Sequence, residues 1–438
     1  MTGRLSKIKL SHVLQLSYRP AASHFRLAES DVRVSPVSKP FIVTAVILVF
    51  AGSIIGSLWM MSLLGLDLAF ARGAFSLHKS FQVDGFLTLI IMGVGYMIVP
   101  RFRNVQVPSI RLTYFSFLLV AFSVAASIVS AIGSDLSVPG AFARAAGVSI
   151  FAAITLWTLR IHPKLLRIAD YFISLSVITL LAINGIHLAG YSAGNPLSGV
   201  QLLLLFPVLM IFGVEYKTLP SFIGFIRPRK RLSAVSFGLA AISVVLGLSS
   251  ALHGDPLLAI AFNVALLGCA AAFAGAVYIF GGFDNSEIMR LIHGEKKARY
   301  MYTIQHSRLA FLFLYAGIAV ATAFNVSSSY MLYDLAIHYT AIGFIGLTIA
   351  LYLPLMLPPI TGRMIRFTKF NSVPVLLVIL ALAVRTAGDV AITTQVTSKE
   401  VSYLLMTSGW LVVAALSTFV AMIHRSMKEE DNVIDGNL

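Results

Sequence analysis

SLHKSFQVDGFLTLIIMGVGYMIVPRF, residues 76–102, is long enough and apolar enough to cross a lipid bilayer. His78, Lys79 and Asp84 nevertheless stand in its first third. Ionisable side chains inside a membrane are costly, and those that occur mostly bind a ligand, pair with one another or carry protons. The stretch therefore predicts a transmembrane helix that carries a functional site.

The composition indicates an integral membrane protein. Of the 438 residues, 58% are hydrophobic and 12% are charged, and the mean hydropathy is +0.87. A water-soluble domain cannot bury so much apolar surface. The single cysteine, Cys269, excludes a disulfide framework, a zinc site built from several thiolates and a cysteine-ligated iron–sulfur cluster.

Apolar segments of about 20 residues, the length that spans a bilayer, recur along the chain. They predict an all-α membrane protein, a bundle of about twelve transmembrane helices. The segments lie near 40–65, 76–100, 110–133, 138–160, 167–191, 196–221, 232–252, 255–281, 305–326, 330–356, 373–395 and 401–424. Residues 1–39 are then predicted to be an N-terminal extension, residues 40–424 the transmembrane domain and residues 425–438 a C-terminal tail.

The distribution of positive charge predicts the orientation of the bundle. The net charge is +15, and most of the 33 basic residues lie in the N-terminal stretch and in alternate loops. Basic loops stay on the cytoplasmic side, so both termini are expected there. The charge is thus a topology signal. It gives no support for a nucleic-acid partner, and the expected surroundings are the lipid bilayer of the cell (plasma) membrane.

A weak repeat relates the second, sixth and tenth segments. Each carries glycine in its body and reaches a proline near its cytoplasmic end, at Pro100, Pro220 and Pro358. The interval is four segments each time. This spacing predicts three arcs of four helices, with the second, sixth and tenth helices in equivalent places.

Two histidines stand at matching depths in this repeat. His78 lies 22 residues before Pro100, and His338 lies 20 residues before Pro358. At 1.5 Å rise per residue, their depths differ by about 3 Å. Both belong to the outer half of the membrane, opposite the predicted cytoplasmic side. Such a pair could bind the iron of a haem axially, or each histidine could be an interfacial or packed side chain with ordinary hydrogen bonds.

Other polar residues lie at the same level. His187 follows Asn184 and is a candidate third metal ligand, or else an interfacial histidine. Arg385 and Asp389 are spaced i, i+4, so they could neutralise each other, or Arg385 could hold a haem propionate and Asp389 could relay protons.

Asp84 has three candidate roles. It could relay protons, pair with Lys79, or accept a hydrogen bond from a ligand imidazole. Nearer the cytoplasmic side, Glu215 and Lys217 are expected to form a local ion pair.

These motifs resemble a known superfamily. HKSFQVDGF, followed by GVGYMIVPRF, resembles the second helix of haem–copper oxidase subunit I, where a histidine binds the low-spin haem. A closer resemblance is to the NnrS family of haem- and copper-containing membrane proteins linked to nitric oxide stress. It rests on Gly85 seven residues after His78, on LPSF at 219–222, on AIHYTAIGFIG at 336–346 and on TGR at 361–363. The resemblance implies a haem b held by His78 and His338.

The chain also departs from the family pattern. Ser80 stands where NnrS-like proteins have the second histidine of a His-x-His motif, and the sixth helix lacks the histidine pair that begins the copper site of oxidases. Copper and terminal oxidase activity are therefore not expected. The resemblance then implies electron transfer, with a quinol or cytochrome as donor, or the handling of a small gas such as nitric oxide. The alternatives are a secondary transporter and a metal-free, oxidase-like structural subunit.

Overall fold

The computed structural model describes residues 37–63, 65, 71–161, 167–190, 195–222, 227–281, 293–356, 372–394 and 399–435. Within these ranges the regular secondary structure is entirely helical, and twelve helices are long and apolar enough to cross a membrane. The predicted all-α bundle of twelve spans is confirmed. The N-terminal extension up to residue 36, Pro358 and the TGR motif lie outside the described residues.

We number the twelve membrane-spanning helices α1 to α12. Ten have one continuous α-helical stretch: α1 Ser38–Leu63, α3 Ile110–Ala131, α4 Ser137–Arg160, α5 Ile168–Leu188, α6 Pro196–Phe222, α7 Lys230–His253, α8 Pro256–Ala276, α9 Gly294–Ser327, α11 Ser372–Thr393 and α12 Lys399–Asp435. The other two are composite. Helix α2 consists of Ala71–Lys79, Ser80–Leu87 and Thr88–Arg103, and α10 of Tyr330–His338, Tyr339–Gly346 and Leu347–Met356.

Helix ends follow local chemistry where the loops are short. The Ser109 hydroxyl accepts a hydrogen bond from the Leu112 N–H and caps α3, and the Asp255 carboxylate does the same for the Leu257 N–H at the start of α8. Pro256 follows directly as the first residue of α8, where a missing N–H costs nothing. Helix α12 continues to Asp435, through most of the segment that the sequence predicted to be a tail.

Helices adjacent in sequence pack as hairpins, and α12 also packs against α1. Helices α2 and α6 lie innermost: 78% and 72% of their spanning segments are buried, against 17% for α12. The high burial of α2 and α6 agrees with the proline repeat, which related the second and sixth segments to each other. It places His78 on a helix that is surrounded by other helices.

A buried ion pair fixes the C-terminal end of α2. The Arg103 guanidinium lies 3.0 Å from the Asp170 carboxylate at the start of α5, and the two side chains are 3% and 5% exposed. Asp170 also accepts the Arg167 backbone N–H at 2.7 Å. One carboxylate thus caps α5 and links it to α2.

Candidate functional site

Helices α2 and α10 share a local irregularity. Each changes from α-helical to π-helical hydrogen bonding at or just after its histidine: Ser80–Leu87 follows His78 and Lys79, and Tyr339–Gly346 follows His338. A π-helical stretch fits extra residues into the helix and often occurs at functional sites. The same irregularity beside both histidines supports the equivalence of the second and tenth helices.

One cavity is lined by both histidines. It has a volume of about 260 Å³ and is lined by residues of α1, α2, α6, α10, α11 and α12, most of them apolar. Small residues on three helices leave room in it, including Gly56, Gly346 and Ala415. We call it the histidine cavity.

The orientation of His78 is fixed by α1. Its Nδ1 lies 2.8 Å from the Gly52 carbonyl oxygen. A carbonyl oxygen can only accept, so Nδ1 carries the proton and Nε2 keeps its lone pair. Gly56 makes the approach possible, because a Cβ there would lie 2.6 Å from His78 Cε1.

The His338 imidazole is held in the same tautomer from its own helix. Its Nδ1 lies 2.8 Å from the Asp334 carbonyl oxygen and 3.3 Å from the Asp334 carboxylate. Its Nε2 therefore also keeps a lone pair. Within the described part of the chain, neither Nε2 has a hydrogen-bond partner. Arg385 and Asp334 line the same cavity as the two imidazoles.

Arg385 has a partner that the sequence did not predict. Its Nε and NH2 groups donate to the two oxygens of Asp334 at 2.5 and 2.8 Å, whereas its Nε lies 3.9 Å from the Asp389 carboxylate. The i, i+4 contact is therefore secondary to a two-pronged pair between α11 and α10. Arg385 also lines the histidine cavity. The sequence feature that could have indicated Asp334 is an acidic residue four positions before His338, within an apolar span.

Asp84 and His187 belong to a second polar cluster, centred on Arg144 of α4. Arg144 donates to Asp84 at 2.7 Å, to Asn184 at 3.0 Å and to His187 Nδ1 at 3.2 Å. Asp84 thus pairs with Arg144 and not with Lys79. Sequence reasoning missed Arg144, although a basic residue inside the fourth span was the visible signal.

The environment of His187 does not match the predicted ligand role. Arginine can only donate, so its hydrogen bond uses the Nδ1 lone pair and the neutral imidazole then carries its proton on Nε2. His187 is also exposed and does not line the histidine cavity. The structure therefore brings His78 and His338 together and leaves His187 apart.

The interior between α6, α8, α9 and α10 is filled by aromatic rings. Phe212, Phe273 and Phe311 stack with centroid distances of 4.1 to 5.8 Å, and Phe344 meets Phe311 edge-on at 5.3 Å. All four are at most 1% exposed. The described residues contain no group of three or more His, Cys, Asp or Glu side chains arranged to hold a metal ion.

The predicted ion pair between Glu215 and Lys217 is wrong. Glu215 is 2% exposed and lies beside the Tyr352 side chain, inside the bundle. Lys217 donates to the Phe102 carbonyl at 2.8 Å and lies over the Phe102 ring. Because the residues are two apart, they leave a helix in different directions.

Comparisons with known proteins support the architecture. No family model and no curated protein matches the sequence. Among solved structures, a haem–copper terminal oxidase dimer determined by cryo-electron microscopy is similar with a TM-score of 0.65 over 90% of this chain and 84% of that chain, at 13% identity. At this identity the likeness concerns the fold alone. The chain is a multi-pass membrane protein with a fold like that of haem–copper oxidase subunit I.

Proposed function

We propose that this protein binds a single haem b in the histidine cavity, with His78 and His338 as its axial ligands, and that it transfers electrons in the plasma membrane. One observation carries the proposal. Two imidazoles on equivalent helices line the same cavity, and each has its Nδ1 proton fixed and its Nε2 lone pair available. That is the state in which histidine binds a metal.

The residues of the cavity fit a haem, which is the cofactor that the fold implies. His78 and His338 supply two nitrogen ligands from two helices, and apolar side chains from six helices exclude water. Arg385 stands at the outer end, where it could also meet a propionate, although Asp334 occupies two of its donor groups. Bound there, a haem supplies a one-electron redox couple; the protein supplies its ligands and its dry surroundings.

Electron transfer is favoured over gas handling for two reasons. Two histidine ligands leave the iron no open position for nitric oxide or oxygen. Within the described part of the chain, the space between α6 and α10 is packed with the rings of Phe212, Phe273, Phe311 and Phe344, which disfavours a second cofactor there. Of the properties that the resemblance to NnrS-like proteins implies, we therefore propose haem binding and not nitric oxide handling. Ser80 also hydrogen-bonds to Ser127 of α3, away from the cavity.

The transporter alternative draws less support from the same contacts. Its candidate substrate or proton sites, Asp84, Arg385 and Asp389, all lie in ion-pair clusters that link neighbouring helices. The expected electron donor remains a quinol or a cytochrome, and a cytoplasmic extension at residues 1–39 remains part of this proposal.

The proposal is tested by optical spectra of protein purified in detergent after expression with ample haem. We expect one haem per chain, with a sharp reduced-minus-oxidised band that carbon monoxide leaves unchanged. A band that shifts with carbon monoxide would favour gas handling over electron transfer. Well-folded protein without haem would refute the haem assignment.

Replacing Gly56 with alanine is expected to reduce haem content several-fold. The added methyl group overlaps the His78 ring and pushes it away from the Gly52 carbonyl. The matched control is Gly238→Ala in α7, where a Cβ meets no atom within 4 Å. The haem-to-protein absorbance ratio of the two purified variants checks this. Equal haem in both would contradict the tight fit at Gly56.

A further inference from the structure

We propose that Asp334, held in place by Arg385, lowers the reduction potential of the haem by acting through the His338 imidazole. The inference rests on the proposed function and names a residue that tunes it. Asp334 is a positioning and tuning residue, since its contact with the metal would run entirely through His338.

A chain of contacts joins the side chains of Arg385, Asp334 and His338. Arg385 donates to both Asp334 oxygens, at 2.5 and 2.8 Å. The carboxylate oxygen that Arg385 NH2 meets is also the one 3.3 Å from His338 Nδ1. The two-pronged contact fixes the orientation of the Asp334 carboxylate. The protonated ring nitrogen of His338 thus faces a negative charge as well as the Asp334 backbone carbonyl.

The two candidate axial ligands are therefore not equivalent. His78 Nδ1 meets only the neutral Gly52 carbonyl, at 2.8 Å. An anionic acceptor near the outer nitrogen of a ligand imidazole increases the electron donation of the ring to the metal. Stronger donation stabilises the oxidised iron more than the reduced iron, so the reduction potential falls.

A pair of substitutions separates this effect from the general electrostatic field. Asp334→Asn alone removes the negative charge and leaves the Arg385 charge in place. The double variant Asp334→Asn/Arg385→Gln removes both charges, so the net charge of the pair stays zero; it also removes the contact of Arg385 with Asp389, 3.9 Å away. The matched control is Asp84→Asn/Arg144→Gln, which makes the same change in a pair that touches neither ligand imidazole.

The measurement is a spectroelectrochemical redox titration of each haem-loaded protein. We expect a higher midpoint potential than wild type for both Asp334 variants, with the larger rise in the single variant, and an unchanged potential in the control. Rescue by Asp334→Glu would return the potential toward the wild-type value.

The outcomes distinguish the two proposals. Wild-type protein that binds no haem refutes the proposed function. Haem-loaded double variant with the wild-type potential overturns the present inference, because then only the field of the separate charges acts. If the single variant fails to fold, the double variant and its control still decide the question.

Discussion

His78→Ala and His338→Ala are each expected to reduce the haem content from one per chain to almost none. Each substitution removes one of the two histidines that line the histidine cavity, and among the described residues no third histidine lines it. The fold should survive both changes. Each imidazole borders a cavity, and each makes one backbone hydrogen bond, so little packing is lost. The pyridine haemochrome assay on purified protein measures the effect.

The control for both is His253→Ala. His253 ends α7 in an exposed position, so its loss should leave haem content and elution profile unchanged. Full haem content in either cavity variant would show that the haem binds elsewhere. Loss of haem in the control as well would point to a general effect of the substitutions on folding.

Asp170→Ala is expected to lower the free energy of unfolding by about 3–5 kcal/mol, the range for breaking a buried ion pair from one side. The Arg103 guanidinium would lose this carboxylate while 3% exposed, and the start of α5 would lose its cap. Denaturant titration in detergent, followed by circular dichroism, measures the change.

Asp135→Ala is the matched control for this stability prediction. Asp135 lies in the exposed turn before α4, where its partners are the backbone and hydroxyl groups of Ser137. The unfolding midpoint of the Asp135→Ala variant should stay at the wild-type value. If Asp170→Ala behaved like the control, the pair between α2 and α5 would not contribute measurably to the fold.

The twelve helices were predictable because a bilayer requires about 20 apolar residues for each crossing, and that pattern is local in the sequence. That His78 and His338 meet at one cavity was predictable for a similar reason. Distance along a helix converts directly into depth, and prolines near the helix ends supplied a common reference.

The rotation of each helix about its axis was not predictable from the sequence. The partners of the other polar side chains near the site depend on that rotation. His187 lies near the end of α5 as expected, but its face of α5 meets Arg144 and not the cavity. Arg385 was compared with Asp389 on its own helix, whereas its closer partner is Asp334 on α10. The π-helical stretches after the two histidines also change which faces of α2 and α10 meet their neighbours, and no local sequence pattern indicated them.

The most direct test of the central claim is a cryo-electron microscopy map of the haem-loaded protein in lipid nanodiscs. We expect planar density inside the histidine cavity, with the iron bound by Nε2 of His78 and Nε2 of His338. Lipid density in that cavity, or a haem held by any other residue, would contradict it.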